Sequence, residues 1–296
     1  MPSPLRVLRG IRVLSLALNL PGPAALMRCR QMGATCVKLE PPGGDPMGHY
    51  NQPAYAQLHE GVKLLAADLK TNAGQQVLHR ELARTDVLLT SFRPSALDKL
   101  GLGWTRLHTL YPALSQVAIV GAPGARAEQP GHDLTYLADN GLVPGLALPA
   151  TLYADMSGSL MASEAVLQAA LVRNERYGGS GDTHPQGVFI EVALSTAAAY
   201  LALPRRWGLT QETGSVGGAH AGYNIYPCKD GRVAVAALEP HFAAALCKAA
   251  GLDGSAARAM QLPATRVAIA AFFLTQARSQ LARLAADQDI PLHCMA

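Results

Sequence analysis

The sequence predicts an α/β fold, with a large parallel-sheet domain over residues 1–207 and a smaller α+β domain, with its linker, over 208–296. Three observations carry that expectation. In the first half, short apolar runs alternate with helical patterns, the rhythm of strand–helix units whose helices cover both faces of a parallel sheet. At 208–222 the stretch GLTQETGSVGGAHAG is rich in Gly, Thr and Ser and reads as a linker. Beyond it, YNIYPCKDGRVAVAAL sets apolar runs on either side of Lys-Asp-Gly, the pattern of a β-hairpin.

The elements follow in order. IRVLSLAL (11–18) is a nearly continuous run of Leu and β-branched residues, as expected of a strand buried on both faces. Pro-Gly-Pro (21–23) ends it, and residues 24–34 have helical composition closing at Gly33. TCVKLE (35–40) is the second strand, and the breakers of PPGGDP (41–46) make a loop. A loop and helix span Asp68–Leu82. DVLLTSF (86–92) is a strand, a helix starts near Pro94, and LSQVAIVG (114–121) is a further strand. Residues 156–177 form an Ala/Leu-rich helix, followed by the breaker-rich YGGSGDTHPQG (177–187) and the strand VFIEVAL (188–194). The tail, 241–288, is helical. Ligands of such sheets sit at the carboxyl ends of the strands, so loops 19–23, 41–49, 91–95 and 121–133 are the places to search.

Composition excludes several classes. At 49% hydrophobic and 16% charged residues the chain is globular rather than disordered. Its net charge of +4 is spread along the chain, too diffuse for a nucleic-acid footprint but adequate to surround an anionic small molecule. The five cysteines (29, 36, 228, 247, 294) show no metal-ligand spacing and read as reduced thiols, with no metal expected. No signal-peptide core and no long apolar run occur, so a cytoplasmic protein without a membrane span is expected. The loop after the first strand is Asn19-Leu20-Pro21-Gly22-Pro23 and lacks G-x-G-x-x-G. Without those glycines a pyrophosphate cannot approach the helix, and NAD is not expected despite Glu40 some twenty residues on.

The candidate chemistry lies in a few acids, one histidine and scattered cations. His132–Asp133 follows Pro130-Gly131; the plain reading is Asp133 as N-cap of a short helix, the alternative an acid–base pair. Asp155 opens an apolar helix, where capping again competes with the role of a nucleophile or base. Glu239 ends a strand before Pro240. Arg93 stands between a strand and a helix, a suitable place to bind an anion; Lys38 and Lys63 are weaker cations of that kind. An enzyme acting on an anionic, nucleotide-like substrate and a non-catalytic α/β binding module both remain open.

Four ordered blocks resemble the class III CoA-transferase family (CaiB/BaiF type), which includes CoA-transferases and the α-methylacyl-CoA racemases. They are LRGIRVLSLALNLPGPAALMRCRQMGATCVKLEPPGGDP, ADLKTNAGQQVLHREL…TDVLLTSFRPSALDKLGLGW, PGHDLTYLADNGL and GGAHAGYNIYPCKDGRVAVAALEPHF. The last two are similar to the racemase branch, through Gly-His-Asp and Leu-Glu-Pro.

The resemblance implies that His132 and Asp155 flank the substrate α-carbon, with Asp133 and Glu239 as supporting acids. It places Lys38 and Arg93, and Lys63 nearby, on the CoA nucleotide, with no cofactor beyond CoA itself. It further implies a Rossmann-like large domain in an interlocked homodimer. The activity expected is inversion at C2 of a 2-methylacyl-CoA, the enolate being held by backbone N–H groups near Asp155. The alternatives are CoA transfer through an aspartyl-CoA intermediate and a degenerate, non-catalytic member. Departures from the family are HEGVKLLAADLK before the second block, Ser157-Gly158-Ser159 after the central acid, and Val120-Gly121-Ala122-Pro123-Gly124 at a strand end. The return segment to the large domain is expected to be missing after IPLHCMA.

Overall fold

The computed structural model describes residues 5–178, 186–253 and 255–296. The start of the chain and most of the breaker-rich 177–187 stretch lie outside the described residues. Two compact units are present, Met1–Ala202 and Leu203–Ala296.

The first unit runs β1 (Arg12–Ser15), α1 (Pro21–Gln31), β2 (Thr35–Glu40), α2 (Pro46–Tyr50), α3 (Gln52–Leu58), β3 (Lys63–Ala66), α4 (Asn72–Leu82) and β4 (Val87–Thr90). It continues with α5 (Pro94–Lys99), α6 (Trp104–Leu110), β5 (Ser115–Val120), α7 (Asp133–Asp139), α8 (Tyr153–Gly178), β6 (Phe189–Ala193) and α9 (Leu194–Leu201). The strand order is β3-β2-β1-β4-β5-β6, and every neighbouring pair is parallel. The chain therefore works outward from β1 to β3, then returns to start again at β4. That reversal leaves a crevice at the carboxyl ends of β1 and β4, the topological switch point of a doubly wound sheet.

Successive strand residues face opposite sides, which divides the core into two layers. Val13, Val87, Leu89, Val117 and Ile119 pack beneath α1 and α8. The intervening Leu14, Leu88, Val37 and Leu39 pack beneath α4, α5 and α6. Small residues of α8, Ala162, Ala165 and Ala169, let α1 approach closely, and Arg28 Nε donates to Ser163 Oγ at 3.0 Å across that contact. All residues of β4 and β5 are buried, which explains the apolar stretches Val87–Leu89 and Val117–Val120 within them.

One strand of this sheet escapes the sequence reading. β3 is an edge strand of four residues, mostly exposed, and Lys-Leu-Leu-Ala offers neither β-branched residues nor alternation. The helix expected from residue 156 begins at Tyr153, so Asp155 lies inside the first turn. Gly74 shows the tolerance at the helix starts. Its N–H donates to the capping Thr71 Oγ1, and a Cβ there would meet the Asp68 carbonyl oxygen at 1.9 Å. Gly74→Ala is expected to destabilise the protein by about 1–3 kcal/mol, because backbone must move; a denaturant midpoint measures it.

The second unit holds α10 (Leu203–Arg206), β7 (Tyr223–Cys228), β8 (Gly231–Ala236), α11 (Pro240–Ala249), α12 (Pro263–Thr275), α13 (Arg278–Gln288) and β9 (Leu292–Met295). β7 and β8 form the expected hairpin, antiparallel, turning at Lys229–Asp230. β9, unread in the sequence because it is short and has no alternation, adds an antiparallel third strand to β8. Val233, Leu246, Ile269, Phe273 and Leu281 build the core between this sheet and the helices. No helix among the described residues is long and apolar enough to cross a membrane.

Candidate active site

A cavity of about 300 Å³ occupies the switch point. Asn19 from the β1–α1 loop, Arg93 after β4, Gly121 after β5, His132 and Tyr136 around the start of α7, and Asp155 of α8 all line it. The fold thus brings His132, Arg93 and Asp155, with Asp133 behind them, to one place from residues more than sixty positions apart.

Asp133 corrects the capping expectation. The N-cap of α7 is His132, whose N–H donates to Thr135 Oγ1 at 3.0 Å. Asp133 follows it, buried, and its Oδ1 accepts the N–H of Asp155 at 2.9 Å. Its carboxylate therefore caps a different helix, α8, and ties the two acids together. The same bond takes Asp155's own N–H out of use, which removes that group from the donors expected to hold an enolate oxygen.

Asp155 is pushed up to about 6, first by burial and then by the Asp133 carboxylate, with His132 opposing. A helix N-terminus favours an ionised acid, but burial and a like charge outweigh it here. The result is a carboxyl group that populates both protonation states near neutral pH, the property a proton shuttle requires.

Lys38 is a correction. Its side chain is 0% exposed, its ammonium donates to Asp45 Oδ2 and meets His59 Nε2 at 2.8 Å, and Glu40 Oε1 forms an ion pair with it at 3.1 Å. The ammonium is thus enclosed by protein partners rather than presented to a nucleotide. Burial and the Lys38 ammonium push the His59 imidazole below its ordinary value, and its Nδ1 lies 2.7 Å from the Tyr55 carbonyl oxygen, an acceptor for the Nδ1 proton that leaves Nε2 facing Lys38. Glu40, Asp45 and His59 offer donor atoms within 4.8 Å of one another, a set suited to a divalent cation. The lysine ammonium at their centre takes that place.

Lys63 is also displaced from the site. It opens β3 opposite Val37, at the amino end of a parallel sheet, whereas the cavity lies beyond the carboxyl ends. Glu239 belongs to the second unit, where it is the N-cap of α11 with an extended backbone. Tyr136 and Asn19 were not singled out by the sequence. Asn19 adopts φ 64°, and its N–H is held by Asp45 Oδ1 at 3.0 Å, linking the buried cluster to the cavity wall.

A doubly wound sheet whose switch-point cavity is lined by His132, Asp155 and Arg93 puts an imidazole, a carboxyl group and a guanidinium at the carboxyl ends of its strands. The model of CoA-transferase family III matches residues 8–295, and the chain belongs to that family. It is 30% identical over 243 residues to succinyl-CoA--D-citramalate CoA-transferase of Chloroflexus aurantiacus, covering 77% of this chain and 60% of that protein. It is 31% identical over 264 residues to alpha-methylacyl-CoA racemase of Mus musculus, covering 83% and 65%. The chain thus spans less than two thirds of the length of these curated relatives, and their names divide between two activities. Among solved structures, the hypothetical protein Rv3272 of Mycobacterium tuberculosis matches 99% of this chain and 86% of its own with a TM-score of 0.83 at 22% identity. A CAIB/BAIF family protein from Brucella suis matches with a TM-score of 0.77 at 23% identity, covering 98% and 84%.

Proposed function

We propose that this chain is an acyl-CoA enzyme that inverts C2 of 2-methylacyl-CoA thioesters by two-base proton transfer. The observation that carries the reading is His132 and Asp155 lining one cavity, with Asp155 poised near neutrality. One of the pair takes the C2 proton; the C–H electron pair moves into the enolate, and negative charge gathers on the thioester oxygen. The other delivers a proton to the opposite face, and the roles exchange with direction. Each positioned group supplies roughly 10²–10⁴-fold. Arg93 is the cation suited to a CoA phosphate, and Asp133, bonded to the Asp155 N–H, is the supporting acid.

A second reading is CoA transfer, favoured by the similarity to the citramalate enzyme. Here the Asp155 carboxylate attacks the thioester carbonyl and expels CoA thiolate, giving a mixed anhydride. The thiolate then attacks the Asp155 carbonyl, releasing the carboxylic acid and leaving an aspartyl-CoA thioester. That route does not need His132.

Incubation with a chiral 2-methylacyl-CoA in D₂O separates the two. Deuterium at C2 with loss of optical purity is the expected result, and His132→Ala is expected to abolish it. CoA exchange between two acyl groups without deuterium, with a hydroxylamine-sensitive adduct on Asp155, would establish the transferase. Absence of both reactions and of thioester binding in calorimetry would leave a non-catalytic member.

A further inference from the structure

Tyr136 lines the cavity, and neither reaction uses it. Its ring is wedged between two backbone segments. A Cβ on Gly121 would lie 2.3 Å from the Tyr136 hydroxyl oxygen, and one on Gly131 would lie 2.6 Å from that oxygen and from the ring edge. Neither glycine adopts a positive φ, so no turn requires glycine at these positions. What requires it is room for the ring. Tyr136 also packs against the buried cluster of Leu137, Ala154 and Ala198.

Tyr136 borders two cavities. Together with Gln129 and Pro130 it lines both the catalytic cavity and a second one of about 210 Å³. The second cavity is walled mostly by polar groups: Arg126, Thr135, Asp139 and Ser195, with Ala122, complete its lining. Arg126 and Asp139 approach only to 3.9 Å and are both largely exposed, a loose pair that leaves the guanidinium free to meet another carboxylate. Tyr136 is therefore a wall between a chamber holding the acid–base pair and a chamber suited to a polar chain end.

We propose that Tyr136 is a specificity-determining residue, a partition that sets how long an acyl group the catalytic cavity accepts. Its removal joins the two chambers and admits longer acyl chains that end in a carboxylate facing Arg126. The inference rests on the acyl-CoA reading above for its ligand class, and on the glycine seat and shared wall for the partition itself. Tyr136 is held as a neutral phenol by burial and by Asp155, so the wall carries no charge that would itself repel an acyl chain.

The test compares 2-methylpropanoyl-CoA with a CoA thioester of a long 2-methyl dicarboxylic acid, on wild type, Tyr136→Ala and Tyr136→Phe. Turnover is read as deuterium entry at C2, and binding of both thioesters by calorimetry. Tyr136→Ala is expected to raise the long-to-short ratio by about tenfold or more, the scale at which pocket size discriminates. Tyr136→Phe, which keeps the ring, is expected to preserve the wild-type ratio. Should Tyr136→Ala not fold, as judged by its thermal transition, Tyr136→Ser in a Gly121→Ala background supplies a second opening with part of the void filled. An unchanged ratio in the opened variant, or an equal shift in Tyr136→Phe, overturns the partition while leaving the acyl-CoA reading intact. Thioesters that bind with the shifted ratio but are not turned over sustain the partition and overturn the racemase reading. Thioesters that bind to no variant overturn both.

Discussion

Asp155→Asn is expected to reduce turnover by roughly 10²–10⁴-fold, the contribution of one positioned acid–base group, while Asp133→Asn moves the pH profile. The two acids are coupled through the bond from the Asp155 N–H to Asp133 Oδ1. An asparagine at 133 can still accept that bond through its amide oxygen, but it removes the like charge. With the Asp133 contribution gone, Asp155 drops from about 6 toward the ordinary carboxylate value without reaching it, because burial, the larger cause, remains. The sign is then fixed. In the direction where Asp155 must be protonated, activity is lost at lower pH than in wild type. In the reverse direction, where it must be ionised, activity appears at lower pH. Both limbs move the same way. Stability carries the same linkage: a carboxyl raised in the folded state costs nothing below its unfolded value, and stability is lost as pH rises through about 6. Asp133→Ala removes charge and cap together and is expected to cost a further ~0.5–2 kcal/mol of stability, the range for losing an N-terminal cap. Steady-state pH profiles in both directions with denaturant melts check this set. An unshifted limb in Asp133→Asn would show that burial alone raises Asp155.

The two acids also mark how far the sequence could be read. β4 and β5 were legible because strands buried on both faces are predominantly apolar, and the alternation of strands and helices dictated a parallel sheet. β3 and β9 were not, since a four-residue edge strand is defined by its partner rather than by its own pattern. In the site, Gly-His-Asp and the later Asp could be picked out as residues, but their relation could not. That Asp133 caps α8 and not its own helix depends on how α7 packs on α8. That Lys63 opens β3 at the amino end of the sheet could not be read either, because β3 carries no pattern of its own. Tyr136 had a signal that went unused: glycines at 121 and 131 without a conformational need for them, beside a large ring.

Lys38 gives the sharpest division between the two ways of reading a cation, and Asp45→Ala the largest expected change in stability. A lysine that binds a nucleotide is exposed in its absence, and replacing it raises KM while leaving the fold alone. Lys38 is instead enclosed by Asp45, Glu40 and His59. Tyr55 adds its hydroxyl to Glu40 at 3.0 Å, and Asp45 also accepts the N–H groups of Asn19 and Met47. Truncating Asp45 leaves the buried ammonium with Glu40 and His59 alone and frees two backbone donors, one of which holds Asn19 at its positive φ on the cavity wall. Breaking a buried pair from one side costs about 3–5 kcal/mol, because the remaining charge has no water to return to. Asp45→Asn keeps an acceptor for both backbone groups and is expected to cost less, so the difference between the two variants isolates the loop contacts. Lys38→Met is expected to lower stability with CoA affinity affected only through Asn19. Denaturant midpoints and calorimetry on the same three variants decide it: a Lys38→Met protein as stable as wild type but weakened in CoA binding would return this lysine to the nucleotide. A change of several kcal/mol in stability assigns it to the wall that holds the site in shape.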